Sequence, residues 1–66
     1  MNMQPLRSRA ISAVGYDETT RRMKIQFTKR GTYDFCNVPK DIYEGLLLAD
    51  SKGTYYHNHI RDRYQC

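Results

Sequence analysis

The sequence predicts a small α+β domain, with a three-stranded antiparallel β-meander followed by two short helices packed on one face (β-β-β-α-α). Two patterns predict this fold. The N-terminal half contains short segments in which apolar and polar residues alternate, separated by polar or glycine-containing turns. The C-terminal half contains apolar residues spaced three and four apart, as in amphipathic helices. A chain of 66 residues has room for one thin core.

The first strand is predicted over Ile11–Tyr16. Its alternation is imperfect, and a bulge near Ser12 or Ala13 would bring Ile11 onto the same face as Val14. Such a bulge would let the whole strand contribute to the core.

The second and third strands are predicted over Arg22–Thr28 and Thr32–Val38, joined by a tight turn at Gly31. Their apolar residues point to one face, which the helices are expected to cover. The residues expected to be buried together are Met23, Ile25, Phe27, Tyr33, Phe35, Leu46, Leu47 and Ile60.

The first helix is predicted to begin at Pro39, because proline is tolerated at the first helical position, and to continue to Ala49. Ser51 is a favourable N-cap for a second helix that continues to Ile60. A basic and aromatic tail follows it.

Eleven Lys and Arg residues against seven Asp and Glu residues give a net charge of +4, which favours anionic partners. No apolar run has the length of a signal peptide or a membrane span. We therefore expect a cytoplasmic protein that does not bind membranes, with Cys36 and Cys66 as free thiols. Residues 1–7 are expected to be a flexible N-terminus and residues 8–66 a single domain.

The sequence lacks the patterns of an enzyme: no paired carboxylates, nucleophile motif or nucleotide-binding loop is present. His57 and His59 are two residues apart and point to different sides of a helix. They therefore form no zinc site with Cys36 and Cys66. We expect a non-enzymatic binding module without a cofactor or a metal.

The second helix and the tail carry the candidate ligand-binding residues. Tyr55 and His59 share one helix face, which we expect to be nearer solvent and able to stack on bases. Tyr56 is expected to face the core. The six candidate residues are Lys52, Gly53, Tyr55, His59, Arg61 and Arg63.

Phosphate groups are the expected ligands of the basic members of this set. Lys52 and Gly53 would let a phosphate approach the start of the helix. Arg61 and Arg63 would neutralise charge. Two alternatives stay open: base stacking on the strand aromatics, and phosphate contact on the basic outer face of the sheet. The residues of these alternatives are Tyr33 and Phe35, and Arg21, Arg22, Lys24, Lys29 and Arg30.

The chain resembles the KTSC domain over Ser8 to Tyr64. The resemblance rests mainly on Val14-Gly15-Tyr16-Asp17, Tyr33-Asp34-Phe35, Val38-Pro39, Ser51-Lys52-Gly53, Asn58 and Ile60-Arg61. The family's central Tyr-x-Tyr appears here with phenylalanine in the second position. KTSC domains occur at the C-terminus of some lysyl-tRNA synthetases and as stand-alone proteins in bacteria and phages, which implies RNA binding.

Two classes of partner remain open at this point. The first is RNA or a nucleotide, bound through basic and aromatic residues. The alternative is a host protein, bound by a small phage or bacterial accessory protein through a strand edge or a helix face. A homodimer is also expected, because a three-stranded meander leaves two open edges.

Overall fold

The computed structural model describes residues 1–66 and has the predicted α+β class. Its sheet contains four antiparallel strands that pair in chain order, rather than three. Two helices follow, as expected. In order, the elements are Gln4–Pro5 (β1), Ile11–Asp17 (β2), Arg22–Phe27 (β3), Gly31–Phe35 (β4), Lys40–Leu48 (α1) and Lys52–His59 (α2).

The additional strand lies in the segment expected to precede the domain. Gln4 pairs with Val14 and Pro5 with Ala13 at the edge of the sheet, where a residue without an N–H group is tolerated. Gly15 is buried in β2, and a Cβ atom there would lie 2.9 Å from the Met1 side chain. This glycine therefore allows the N-terminal segment to approach the sheet closely.

The bulge predicted in the first strand is confirmed. The register between β2 and β3 shifts between Ile11 and Ala13, so that Ile11 pairs with Phe27 and Ala13 with Gln26. As a result, Ile11 and Val14 are both fully buried.

The strand after Gly31 ends at Phe35, earlier than predicted. Gly31 has a φ of 86° in the turn, and Asn37 has a φ of 57° just beyond the strand. A residue with left-handed backbone angles, such as Asn37, interrupts the hydrogen-bond ladder between strands. Val38 is nevertheless fully buried between β4 and α1 in the chain.

The predicted core is largely confirmed, with one clear exception. Phe27 and Leu47 are half-buried against it, whereas Tyr33 is 50% exposed. Tyr33 lies on the edge strand, where the helices leave a groove open. The predicted residues that are buried are Met23, Ile25, Phe35, Leu46 and Ile60.

The ends of the helices follow local chemistry. Pro39 occupies the N-cap position of α1 in an extended conformation, so the helix begins one residue later than predicted. Ser51 caps α2 as predicted, and its Oγ accepts a hydrogen bond from the backbone N–H of Thr54 at 3.3 Å. Neither helix is long and apolar enough to cross a membrane.

The prediction that both cysteines are free is wrong for this structure. Cys36 and Cys66 form a disulfide, with their Cα atoms 4.8 Å apart. The backbone brings them together: the Cys36 N–H donates to the Tyr64 carbonyl at 2.8 Å, and Phe35 pairs with Gln65. The tail therefore lies against β4. No pattern in the sequence indicates that Cys66 pairs with Cys36, which is 30 positions away.

Candidate nucleic-acid interface

A groove between the β3–β4 turn and α2 concentrates positive charge. It has a volume of about 330 Å³, and no carboxylate lines it. We call it the basic groove. Its basic side chains are Arg9, Lys29, Arg30, His57 and Arg61.

Two small residues allow these side chains to converge. The Thr28 N–H donates to the Ala10 carbonyl at 3.0 Å, which holds the segment before β2 beside the end of β3. A Cβ atom on Gly53 would lie 3.0 Å from the Cβ of Ala10. The first turn of α2 therefore packs closely on Ala10, and these two residues form part of the groove lining.

Most of the positive charge in the basic groove has no partner within the chain. Arg9, Lys29 and Arg30 form no salt bridge, since the three in the structure involve other cations. Arg61 alone has a carboxylate partner, with its Nε 3.8 Å from an Asp62 oxygen, and its guanidinium also lies 3.2 Å from Nδ1 of His57. Like charges left together in this way attract an anionic ligand.

The positive surface continues past the basic groove to the start of α2. A shallower depression there is lined by Arg7, Arg9 and Lys52, together with Asp50. The Lys52 ammonium donates to the Ala49 carbonyl at 2.9 Å, which holds its charge near the helix start. Cations thus extend along one side of the molecule.

On its other side, the basic groove adjoins a second concavity of about 360 Å³, which we call the aromatic pocket. The ring of Phe27 lies 4.9 Å from that of Tyr56 and 5.7 Å from that of Tyr33, both edge-on. The two concavities share three residues, so they form one continuous surface. The shared residues are Phe27, Arg30 and Tyr56; the aromatic residues of the pocket are Phe27, Tyr33, Phe35, Tyr56 and Tyr64.

The six residues predicted as a site are divided by the structure. Gly53 and Arg61 line the basic groove, and Lys52 lines the adjoining depression. His59 and Arg63 are exposed, but neither lines these concavities. Tyr55 lies on the side of α2 that faces α1.

Tyr55 contributes to the seam between the two helices. Its hydroxyl donates to the Ile42 carbonyl at 3.0 Å, and its ring contacts the position where Gly45 lacks a side chain. Burial raises the pKa of Tyr55. The ring of His59 packs against it at 4.4 Å. Tyr55 is therefore held inside the fold, and stacking on a base would require breaking this seam.

Sequence reasoning missed much of the basic groove. It placed Lys29 and Arg30 away from Arg61, whereas the three line one concavity. No spacing in the chain links these residues. The available signal was the short β3–β4 turn, whose cations had to project from one end of the sheet beside one of the helices.

Comparison with known proteins identifies the fold and its family. The model of the KTSC domain family matches residues 7–64. The chain belongs to the KTSC domain family. This confirms the resemblance inferred from the sequence.

Relatives of this KTSC domain include proteins of similar length and parts of a larger enzyme. The crystal structure of a KTSC domain protein from Yersinia pestis has a TM-score of 0.95 and 34% identity, covering 98% of this chain and 92% of that one. A protein from Tsukamurella paurometabola is 35% identical over 63 residues, covering 96% of this chain and 94% of its own. A lysine–tRNA ligase from Nostoc sp. is 33% identical over 55 residues, which cover 83% of this chain but 10% of the ligase.

Proposed function

We propose that this KTSC domain is a non-catalytic module that binds RNA, with the phosphates held in the basic groove. The observation that carries the proposal is the set of cations on the walls of that groove, which no carboxylate lines. Neutralising phosphates with such side chains releases counterions, and this release drives binding. The match to a lysine–tRNA ligase supports RNA as the polyanion.

The test is to titrate the protein into fluorescently labelled single-stranded and hairpin RNA between about 50 and 200 mM salt. Each phosphate neutralised on a single strand should contribute about −0.7 to the slope of log K against log salt. Three contacts therefore predict a slope of about −2. Absence of binding at low salt would overturn the proposal.

Paired variants locate the site on the surface. Lys29→Gln with Arg30→Gln, and Arg9→Gln with Arg61→Gln, should each weaken binding about tenfold or more and flatten the salt slope. The matched control is Arg21→Asn with Arg22→Gln, because these exposed arginines lie at the opposite end of β3. Asparagine suits the φ of 60° at position 21.

The control also separates the candidate functions. Equal weakening by all three pairs would indicate diffuse electrostatic attraction without a site. If RNA does not bind and a protein partner is retained at high salt, the accessory-protein alternative is supported, since an apolar interface responds weakly to salt.

Three expectations from the sequence stay predictions: a cytoplasmic location, docking on a host protein, and a homodimer. The structure bears on the edges that a dimer would use. β1 is only two residues long, and Gln65 pairs with Phe35 beside the opposite edge. Sedimentation at high protein concentration measures the assembly directly.

A further inference from the structure

The aromatic pocket differs from the basic groove in its balance of charge. One carboxylate, from Asp62, and one cation, from Arg30, lie at its walls. Asp34 also lines the pocket, but its carboxylate lies 3.7 Å from the Lys24 ammonium on the other face of the sheet. Aromatic rings make up much of the remaining lining. This balanced charge attracts a phosphate less than the basic groove does, and the aromatic rings favour a planar group that carries no charge.

One ring of the pocket is free to contact such a group. Tyr33 is 50% exposed, although it lies beside the half-buried Phe27. Tyrosine presents a broad apolar face on which a planar ligand stacks. The exposure of Tyr33 thus leaves a stacking surface at the mouth of the pocket.

The opposite wall of the pocket is held in place. Tyr64 and Gln65 line this wall, and both are tied to the end of β4 by the backbone contacts of Phe35 and Cys36. The disulfide adds a covalent connection at Cys66, which also lines the pocket. A pocket with walls fixed in this way needs little rearrangement to bind a ligand.

The position of the pocket indicates where its ligand comes from. Phe27, Arg30 and Tyr56 line both the pocket and the basic groove. A nucleotide whose phosphate lies against Arg30 in the groove can therefore place its base among the rings. The volume of about 360 Å³ lies within the range of small-molecule sites.

We propose that the aromatic pocket binds one unpaired nucleobase of the RNA strand whose phosphates occupy the basic groove. This inference rests on the proposed function and adds the ligand class: single-stranded RNA rather than duplex, because a paired base cannot leave its stack without an energetic cost. Asp62 and Gln65 line the pocket, and the Gln65 Nε2 donates to Asp62 Oδ1 at 3.3 Å. The remaining N–H and the carbonyl oxygen of the Gln65 amide supply polar atoms for the edge of the base.

The experiment uses the whole protein and a single-stranded RNA of about eight nucleotides that carries 2-aminopurine. Stacking in the pocket should quench the 2-aminopurine fluorescence on binding. Tyr33→Ala should abolish the quenching and weaken single-strand binding about tenfold or more, while Tyr33→Phe keeps both. The salt slope should be unchanged in each variant, because neither removes a cation.

Leu48→Ala is the matched control, since Leu48 is an 84% exposed apolar residue on α1 outside both concavities. It should bind and quench like the unaltered protein. Two results would overturn the proposal for the pocket while supporting RNA binding in the basic groove. One is binding that depends steeply on salt but does not quench 2-aminopurine. The other is a Tyr33→Ala variant whose quenching and affinity equal those of the unaltered protein. If the unaltered protein binds no RNA at low salt, both proposals fail. Circular dichroism confirms that each variant is folded.

Discussion

Tyr55 and Tyr56 are consecutive residues of α2, and their rings contact different halves of the molecule. The Tyr55 hydroxyl is bonded to the Ile42 carbonyl in the seam with α1. Tyr56 packs edge-on against Phe27 and lines both the basic groove and the aromatic pocket. One helix thus has a side committed to the fold and a side that borders open concavities.

The difference concerns where polar and charged groups find their partners. In the seam, the phenol of Tyr55 is satisfied by the backbone within the chain. In the basic groove, Arg9, Lys29 and Arg30 have no carboxylate partner. A side chain whose polar group is satisfied internally contributes to stability, whereas unpaired charge beside a concavity is available to a ligand. The predictions below separate these two roles.

The largest expected effect comes from the disulfide, which holds the tail on the pocket side. Closing a loop of 30 residues should stabilise the fold by about 3–4 kcal/mol through the entropy of the unfolded chain. Urea unfolding with and without a reducing agent measures this difference. Cys36→Ser with Cys66→Ser is the control, and its stability should not respond to reductant. An unchanged midpoint in the unaltered protein on reduction would contradict the prediction.

A second prediction tests the seam between α1 and α2. A Cβ atom at Gly45 would lie 2.7 Å from the Cζ of Tyr55, so Gly45→Ala should push the helices apart and lower stability by about 2 kcal/mol. Gly53→Ala is the matched change on the groove side. The new Cβ atom would meet only the Ala10 methyl, at 3.0 Å, so Gly53→Ala should lower stability by less than Gly45→Ala does. Thermal unfolding measures the loss of stability in each variant. A larger loss for Gly53→Ala than for Gly45→Ala would contradict the prediction.

Tyr55→Phe tests the seam with a smaller change. It removes the hydroxyl that donates to the Ile42 carbonyl and should lower stability by about 1 kcal/mol. RNA affinity of the folded protein should stay the same, because Tyr55 lines neither concavity. A marked loss of RNA affinity at unchanged stability would return Tyr55 to the binding site.

The smallest effect is a dependence on alkaline pH. Burial raises the pKa of Tyr16 and Tyr55 above the ordinary value of 10.0. The unfolded chain therefore loses these protons first, so stability is intact below pH 10 and declines as the pH rises beyond it. Urea midpoints on both sides of that value measure the decline. Replacing both tyrosines by phenylalanine should reduce it, and an equal decline in that variant would contradict the assignment.

Local sequence patterns predicted much of this fold, because many of its features are determined by residues close together in the chain. The bulge near Ala13, the cap at Ser51 and the burial of Ile25 each follow from a few neighbouring residues. The additional strand is two residues long, too short for any alternation to mark it. The pairing of Cys36 with a residue 30 positions away is likewise a property of the folded chain.

The candidate site was harder to predict because it joins distant segments. Periodicity placed Tyr55 and Tyr56 on adjacent faces of α2, which the structure confirms, but it could not show that α1 covers Tyr55. Tyr33 alternates correctly with Phe35, yet it is exposed because the helices do not cover that corner of the sheet. Sequence periodicity defines the faces of an element, and only packing determines which neighbour covers each face.

The bond between Cys36 and Cys66 also determines how the domain carries mechanical load. Tension applied between residues 1 and 66 would pass through the strands to Cys36 and then cross directly to Cys66. Both helices lie in the closed loop outside this path. The 30-residue separation, at about 3.4 Å per extended residue, removes about 100 Å from the length gained on stretching. Under force, the sheet would carry the tension, whereas α2 and the groove residues on it would carry none.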